Sequence, residues 1–151
     1  MADGQANDLL TASAVRLGQQ ADDFNDAIRQ VGAVLVAVGA VDPSYVDTML
    51  EREQSISTFI GEGVAIPHGT LAGKDSVLRD ALAVVQFPQG VDWHGDRAEL
   101  CIGIAAVGDG HVGILAQLAE LLMDEDRAAA LRNATTADEV VALLTPDDES
   151  Q

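Results

Sequence analysis

The sequence predicts an α/β layer sandwich in which one sheet is covered by helices. Three observations carry that prediction. Apolar residues at helical spacing alternate along the chain with short β-prone runs. No internal repeat or linker divides the chain, so residues 1–151 read as one domain with a core at about 9–145 and short flexible termini. Apolar residues make up 48% of the sequence and aromatics only 3%, so the core must be built from Val, Leu, Ile and Ala.

The elements follow in order. Leu9, Leu10, Val15 and Leu17 mark a first strand within Leu9–Leu17. Asp22 or Asp23 can cap a helix in which Phe24, Ile28, Val31, Leu35 and Val38 recur at spacings of four, three, four and three. Gly39 is a suitable stop. Asp42-Pro43 begins a second helix, with the proline in a tolerated first-turn position. Its expected inner face is Tyr45, Val46, Met49 and Leu50, and its polar end is Glu51-Arg52-Glu53. Ser57–Ile60 and Val64–Ile66 are short β-prone runs separated by Gly61 and Gly63, which suits a hairpin or two staggered edge strands. Leu71–Leu78 reads as a loop around the only lysine, Lys74. Ala81–Phe87 and Glu99–Ala106 read as strands, joined by a turn-rich connection, Pro88–Arg97, that carries Trp93 and His94. Gly108-Asp109-Gly110 leads into a helix starting near His111, with Ile114, Leu115, Leu118, Leu121 and Leu122 on its inner face. A short helix opens over Asp124–Ala130 and is expected to end near Asn133. Thr136 and Glu139 have capping-box spacing ahead of Val140, Val141, Leu143 and Leu144. Thr145–Gln151 is an acidic tail.

Charge and cysteine usage narrow the function classes. Asp and Glu outnumber Lys and Arg by 25 to 8, for a formal charge of −17. Such an excess argues against nucleic acid or an anionic membrane surface as partner and leaves room for a protein with a basic patch. A single cysteine, Cys101, rules out an internal disulfide framework and fits a reducing cytoplasm. It lies in the apolar run Leu100–Ala106 and reads as a buried structural thiol. No signal-peptide pattern is present, and the apolar stretch Val31–Val41 is about half of membrane-spanning length. A soluble, cytoplasmic domain is expected, with no direct membrane insertion.

The stretch Gly61–Thr70, GEGVAIPHGT, concentrates the chemistry. Pro67 fixes its own φ and pushes Ile66 into an extended conformation, so Val64–Ile66 becomes a short strand ending at His68. Gly69 has no Cβ to obstruct a turn or a close approach to a ligand. An imidazole would then stand beside backbone N–H groups and the Thr70 hydroxyl, a setting suited to a nucleophile or a phosphate. A surface turn with an idle histidine fits the local pattern equally well. Of the two other histidines, His111 is placed at a predicted helix N-terminus, where an anion is favoured. His94 follows Trp93 in an ordinary turn. No close Cys/His spacing suggests a metal site. Arg52 reads either as a helix-end cap with surface ion pairs or as a guanidinium that grips a phosphoryl group bidentately.

Taken together, these residues resemble a known family. The run Arg52-Glu53-Gln54, Ser57-Thr58, Ile60-Gly61 and Gly63-Val64-Ala65-Ile66-Pro67-His68-Gly69-Thr70 looks like the mannitol/fructose-type (type 2) enzyme IIA of the phosphoenolpyruvate-dependent sugar phosphotransferase system. Ala72-Gly73-Lys74-Asp75, Gln86–Val91, Ile102–Ala106 and His111 at the head of its helix extend the similarity from about Leu9 to Leu144. The resemblance implies a single mixed β-sheet flanked by helices on both sides. It implies a cytoplasmic phosphoryl carrier without cofactor or metal. His68 would take phosphate from the phosphohistidine carrier protein (HPr) and pass it to a cysteine of a cognate enzyme IIB, which associates with a membrane permease subunit. His111 and Arg52 match the family's supporting residues, with Gly69 and Thr70 contributing to phosphate binding. The paired histidines resemble the sugar-transport members more than the nitrogen-regulatory branch, and the flanking motifs look most like mannitol members. A fructose or other-sugar domain, or a regulatory module controlling a transcription factor or transporter by its phosphorylation state, is the alternative.

Overall fold

The computed structural model describes residues 12–55, 57–68, 76–105, 116 and 118–144. Their centre is a five-stranded mixed sheet in the order β1-β4-β5-β3-β2. The strands are β1 (Val15–Arg16), β2 (Phe59–Gly61), β3 (Val64–Ala65), β4 (Ala81–Trp93) and β5 (Asp96–Ala105). β4 and β5 form an antiparallel hairpin, and β2 pairs antiparallel with β3. β1 runs parallel to β4, and β3 runs parallel to β5. The short runs around Gly61 and Gly63 are therefore a hairpin, with β2 at the sheet edge. Of the expected first strand only Val15 and Arg16 pair in the sheet; Ala12–Ala14 is a 3-10 turn, and residues 9–11 lie outside the described residues.

The central hairpin is longer than the sequence suggests. Pro88–Arg97 is no loose connection: both strands continue through it to a two-residue turn at His94-Gly95. Both turn residues have positive φ, 57° and 96°, as an I′ hairpin turn requires, and glycine accepts this without a steric cost. The register shifts between Gln86 and Val91, so an irregularity absorbs Pro88 and Gly90 before pairing resumes at Val91↔Ala98. Trp93 is fully buried at the far end.

Helix α1 (Phe24–Ala37) begins where Asp23 accepts the Asp26 N–H at 2.9 Å, a regular N-cap. Ala27, Ile28, Val31, Val34 and Leu35 are buried in its interface with β4 and β5. A Cβ at Gly103 would lie 2.1 Å from Val31 Cγ1, so the glycine sets how closely α1 approaches the sheet. Gln86 lies three residues beyond Ala83, the partner of Gly103, and therefore faces the opposite side. There its amide donates to the carbonyls of Arg132 and Ala134, tying the sheet to the end of helix α3 (Glu125–Arg132). Helices thus cover both faces, as expected. Helix α2 (Ser44–Ser55) packs on α1, and helix α4 (Ala137–Leu144) packs on α3. Asp124 caps α3. The Thr136 hydroxyl accepts the Glu139 N–H at 3.1 Å, and the Glu139 carboxylate reaches back to the Thr135 N–H. Among the described residues no helix is long and apolar enough to cross a membrane.

Candidate active site

Val64 and Ala65 are buried between β2 and β5, and the chain leaves the sheet through Pro67. Two hydrogen bonds hold this exit. Ile66 N–H donates to the Thr58 carbonyl at 3.0 Å, and Ile104 N–H donates to the Pro67 carbonyl at 3.0 Å. His68 then forms a parallel bridge with Ile104 at the end of β5. On the same residue the Tyr45 hydroxyl, from α2, donates to the Ile104 carbonyl at 2.8 Å. The histidine thus stands where two parallel segments and α2 converge.

The His68 ring is half-buried, and its Nδ1 lies 2.9 Å from the Ile66 carbonyl oxygen. A carbonyl oxygen only accepts, so Nδ1 carries the proton in this contact. In the neutral ring the lone pair is then on Nε2, the nitrogen farther from the backbone. That tautomer is a ready nucleophile without a separate base.

Arg52 is half-buried in the last turn of α2. The next residue, Glu53, is only 1% exposed, which corrects the expected polar end of this helix. Its carboxylate is enclosed by donors. Oε1 accepts the Thr58 hydroxyl at 2.6 Å, and the Thr58 N–H is shared between the two oxygens at 3.3 and 3.1 Å. Oε2 also accepts from Trp93 Nε1 at 2.8 Å and from His94 Nε2 at 3.0 Å. Burying a carboxylate is costly unless such bonds replace water, and here they do. The turn at His94 is thereby tied into the fold: its ring also packs on Phe24, with centroids 4.4 Å apart.

The sequence contains a signal for this cluster that charge alone conceals. Glu53 continues the buried stripe Tyr45–Met49 at the same spacing of four. Trp93, the only tryptophan, belongs to a residue type seldom left in solvent, and from the end of β4 its indole N–H reaches Glu53 on α2. Cys101 is fully buried; burial first, and the nearby Glu53 charge second, push its thiol far above its ordinary range. Such a thiol is a packing group, not a nucleophile.

Gly69, Thr70 and His111 lie outside the described residues. A cavity of about 340 Å³ opens elsewhere, between Arg16, Gln30, Val34 and Val85, and its lining carries no nucleophile. Among the described residues no group of three His, Cys, Asp or Glu could hold a metal.

Relatives point the same way as this geometry. A Salmonella typhimurium multiphosphoryl transfer protein is 48% identical over 143 residues, covering 94% of this chain and 38% of its own length. The mannitol-specific EIICBA component of Pasteurella multocida is 42% identical over 140 residues, covering 90% of this chain and 22% of that protein. The chain therefore spans well under half of either relative. Among solved structures, a chain of the Escherichia coli complex of mannitol enzyme IIA with phosphorylated enzyme IIB superposes with a TM-score of 0.84. It is 39% identical, and the match covers 90% of this chain and 98% of that one. A family model described as "Phosphoenolpyruvate-dependent sugar phosphotransferase system, EIIA 2" matches residues 8–146. A phosphotransferase component by fold, sequence and motif, the chain belongs to this EIIA type 2 family.

Proposed function

We propose that this domain carries a phosphoryl group on His68 Nε2, between the phosphohistidine carrier protein HPr and a cysteine of a cognate enzyme IIB. The observation that carries the reading is the 2.9 Å contact between His68 Nδ1 and the Ile66 carbonyl. It leaves Nε2 as the nucleophilic nitrogen. The Nε2 lone pair attacks phosphorus as the donor's P–N bond breaks, and the donor imidazole leaves neutral. Positive charge on the new phosphohistidine is shared through Nδ1–H with the Ile66 carbonyl. In the second step a cysteine thiolate attacks phosphorus and His68 leaves as a neutral ring. Such a transfer depends on positioning and on stabilising charge over the equatorial oxygens, not on a separate base.

Arg52, His111 and the N–H groups of Gly69 and Thr70 supply that stabilisation. Arg52 stands in the last turn of α2, next to Glu53, which is bonded to Thr58 ahead of the His68 strand. The sugar served is mannitol, on the likeness to a mannitol-specific component and to a mannitol enzyme IIA chain. The acceptor IIB belongs to a membrane permease, with which the domain works from the cytoplasm.

Incubation with phosphoenolpyruvate and the two general phosphotransferase proteins is expected to yield one acid-labile, base-stable phosphate per chain. Uptake of that phosphate by His68→Ala would sink the assignment. Restored mannitol uptake in a strain lacking its own IIA supports transport, whereas failure with intact phosphorylation points to a regulatory module.

A further inference from the structure

We propose that Glu53 is a positioning residue for His68, acting through Thr58 and Ile66. A continuous path of hydrogen bonds joins them. The Glu53 carboxylate accepts both the hydroxyl (2.6 Å) and the N–H (3.1 Å) of Thr58. The Thr58 carbonyl accepts Ile66 N–H at 3.0 Å. The Ile66 carbonyl accepts His68 Nδ1–H at 2.9 Å. At its other end Glu53 is anchored by Trp93 Nε1 (2.8 Å) and His94 Nε2 (3.0 Å), donors from the tip of the central hairpin.

Each link restricts the next. Two bonds from one residue to a buried carboxylate fix both the position and the rotation of Thr58. Thr58 in turn holds Ile66 from its N–H side, while Ile104 holds the following carbonyl of Pro67 at 3.0 Å. The Ile66 carbonyl between these two anchors therefore has one direction available, and it points at Nδ1. Glu53 thus touches no reacting atom. Its effect is on which ring nitrogen keeps the proton and on where Nε2 is held. A surface glutamate at this position would leave Thr58 with water as its partner and the carbonyl free to swing.

The proposal rests on His68 as the phosphoryl site, but its first readout does not. Nitrogen-15 spectra of the full chain report the His68 tautomer directly. Glu53→Gln keeps the shape but turns an amide NH₂ toward donors. Thr58→Val removes only the hydroxyl link, and Thr58→Ser keeps it. In Glu53→Gln and Thr58→Val the Nδ1–H tautomer of His68 is expected to lose population. Phosphorylation by phosphoenolpyruvate and the general phosphotransferase proteins should slow on the order of tenfold, the lower end of what removing the orienting partner of a metal-ligating imidazole costs. Thr58→Ser should restore both. If Glu53→Gln does not fold, Thr58→Val decides. An unchanged His68 tautomer overturns the proposal, and so does a changed tautomer with phosphorylation within twofold of the original. Phosphate uptake by His68→Ala would instead fail the phosphoryl-site reading, with the tautomer result standing apart.

Discussion

His68 and His94 are held in opposite ways. His68 ties its near nitrogen, Nδ1, to a neutral carbonyl, and the proposed phosphoryl site is the far one. His94 ties its far nitrogen, Nε2, to the buried Glu53 carboxylate. Its ring lies against Phe24, and its backbone takes the positive φ of a hairpin turn. The first arrangement stabilises the tautomer with its lone pair on Nε2, the one the proposed transfer requires. The second converts an imidazole into a structural donor. Which nitrogen is bound, and to what, separates the two roles better than exposure does, since the His94 side chain is 39% exposed.

The largest effects should fall on the His68 side. His68→Ala is expected to abolish phosphate uptake, whereas His94→Asn should retain it in the same assay. Loss of uptake in His94→Asn by a folded protein would break the contrast. Arg52→Ala should slow phosphoryl transfer on the order of 100-fold, or about 3 kcal/mol, the usual cost of one lost donor to a developing anion. Rapid-quench kinetics measure it, and an effect below threefold would remove Arg52 from the site.

On the His94 side the effects are on stability. Trp93→Phe keeps most of the ring but deletes a donor to a buried carboxylate, and should cost about 2 kcal/mol in urea unfolding with phosphorylation retained. Alkaline pH gives a further test. The Cys101 thiol is held above its ordinary 9.0 in the fold, so above that pH the unfolded chain releases a proton that the folded chain keeps. Its contribution to stability is complete below that value and declines as pH rises, by about 1.4 kcal/mol per pH unit. Urea midpoints above pH 9 should show this slope, and Cys101→Ala should flatten it. His94→Asn should have the smallest effect, about 1 kcal/mol, because asparagine tolerates the left-handed backbone and water can replace a half-exposed donor.

The fold was legible wherever periodicity reports burial. Helix α1 followed from the spacing of Phe24 to Leu35 and ends at Ala37, two residues before the Gly39 stop, and α4 followed from Thr136 and Glu139. The hairpin length was not legible, because Pro88 and Gly90 signal a turn locally while an irregular register absorbs them in the sheet. The strand pairings of β1 with β4 and β3 with β5 join residues far apart, which no local pattern encodes. At the site, the proline-histidine sequence marked His68, yet its tautomer depends on a carbonyl whose direction only the fold determines. Glu53 was hidden by its charge: a glutamate at a helix end ordinarily faces water, and its donors Trp93 and His94 come from 40 and 41 residues away.

The hairpin that supplies those donors also bears on self-association. Among the described residues β1 pairs with β4 only at Val84 and Val85, and β3 pairs with β5 only at Leu100 and Cys101. Among the described pairings, the distal part of β4 has β5 as its sole neighbour. A long free edge would invite strand addition from another molecule and growth into fibrils. Here Pro88 offers no N–H, the register shift bends the strand, and Asp92, Asp96 and Arg97 are exposed around the tip. The same irregularity that conceals the hairpin in the sequence makes it a poor template for aggregation.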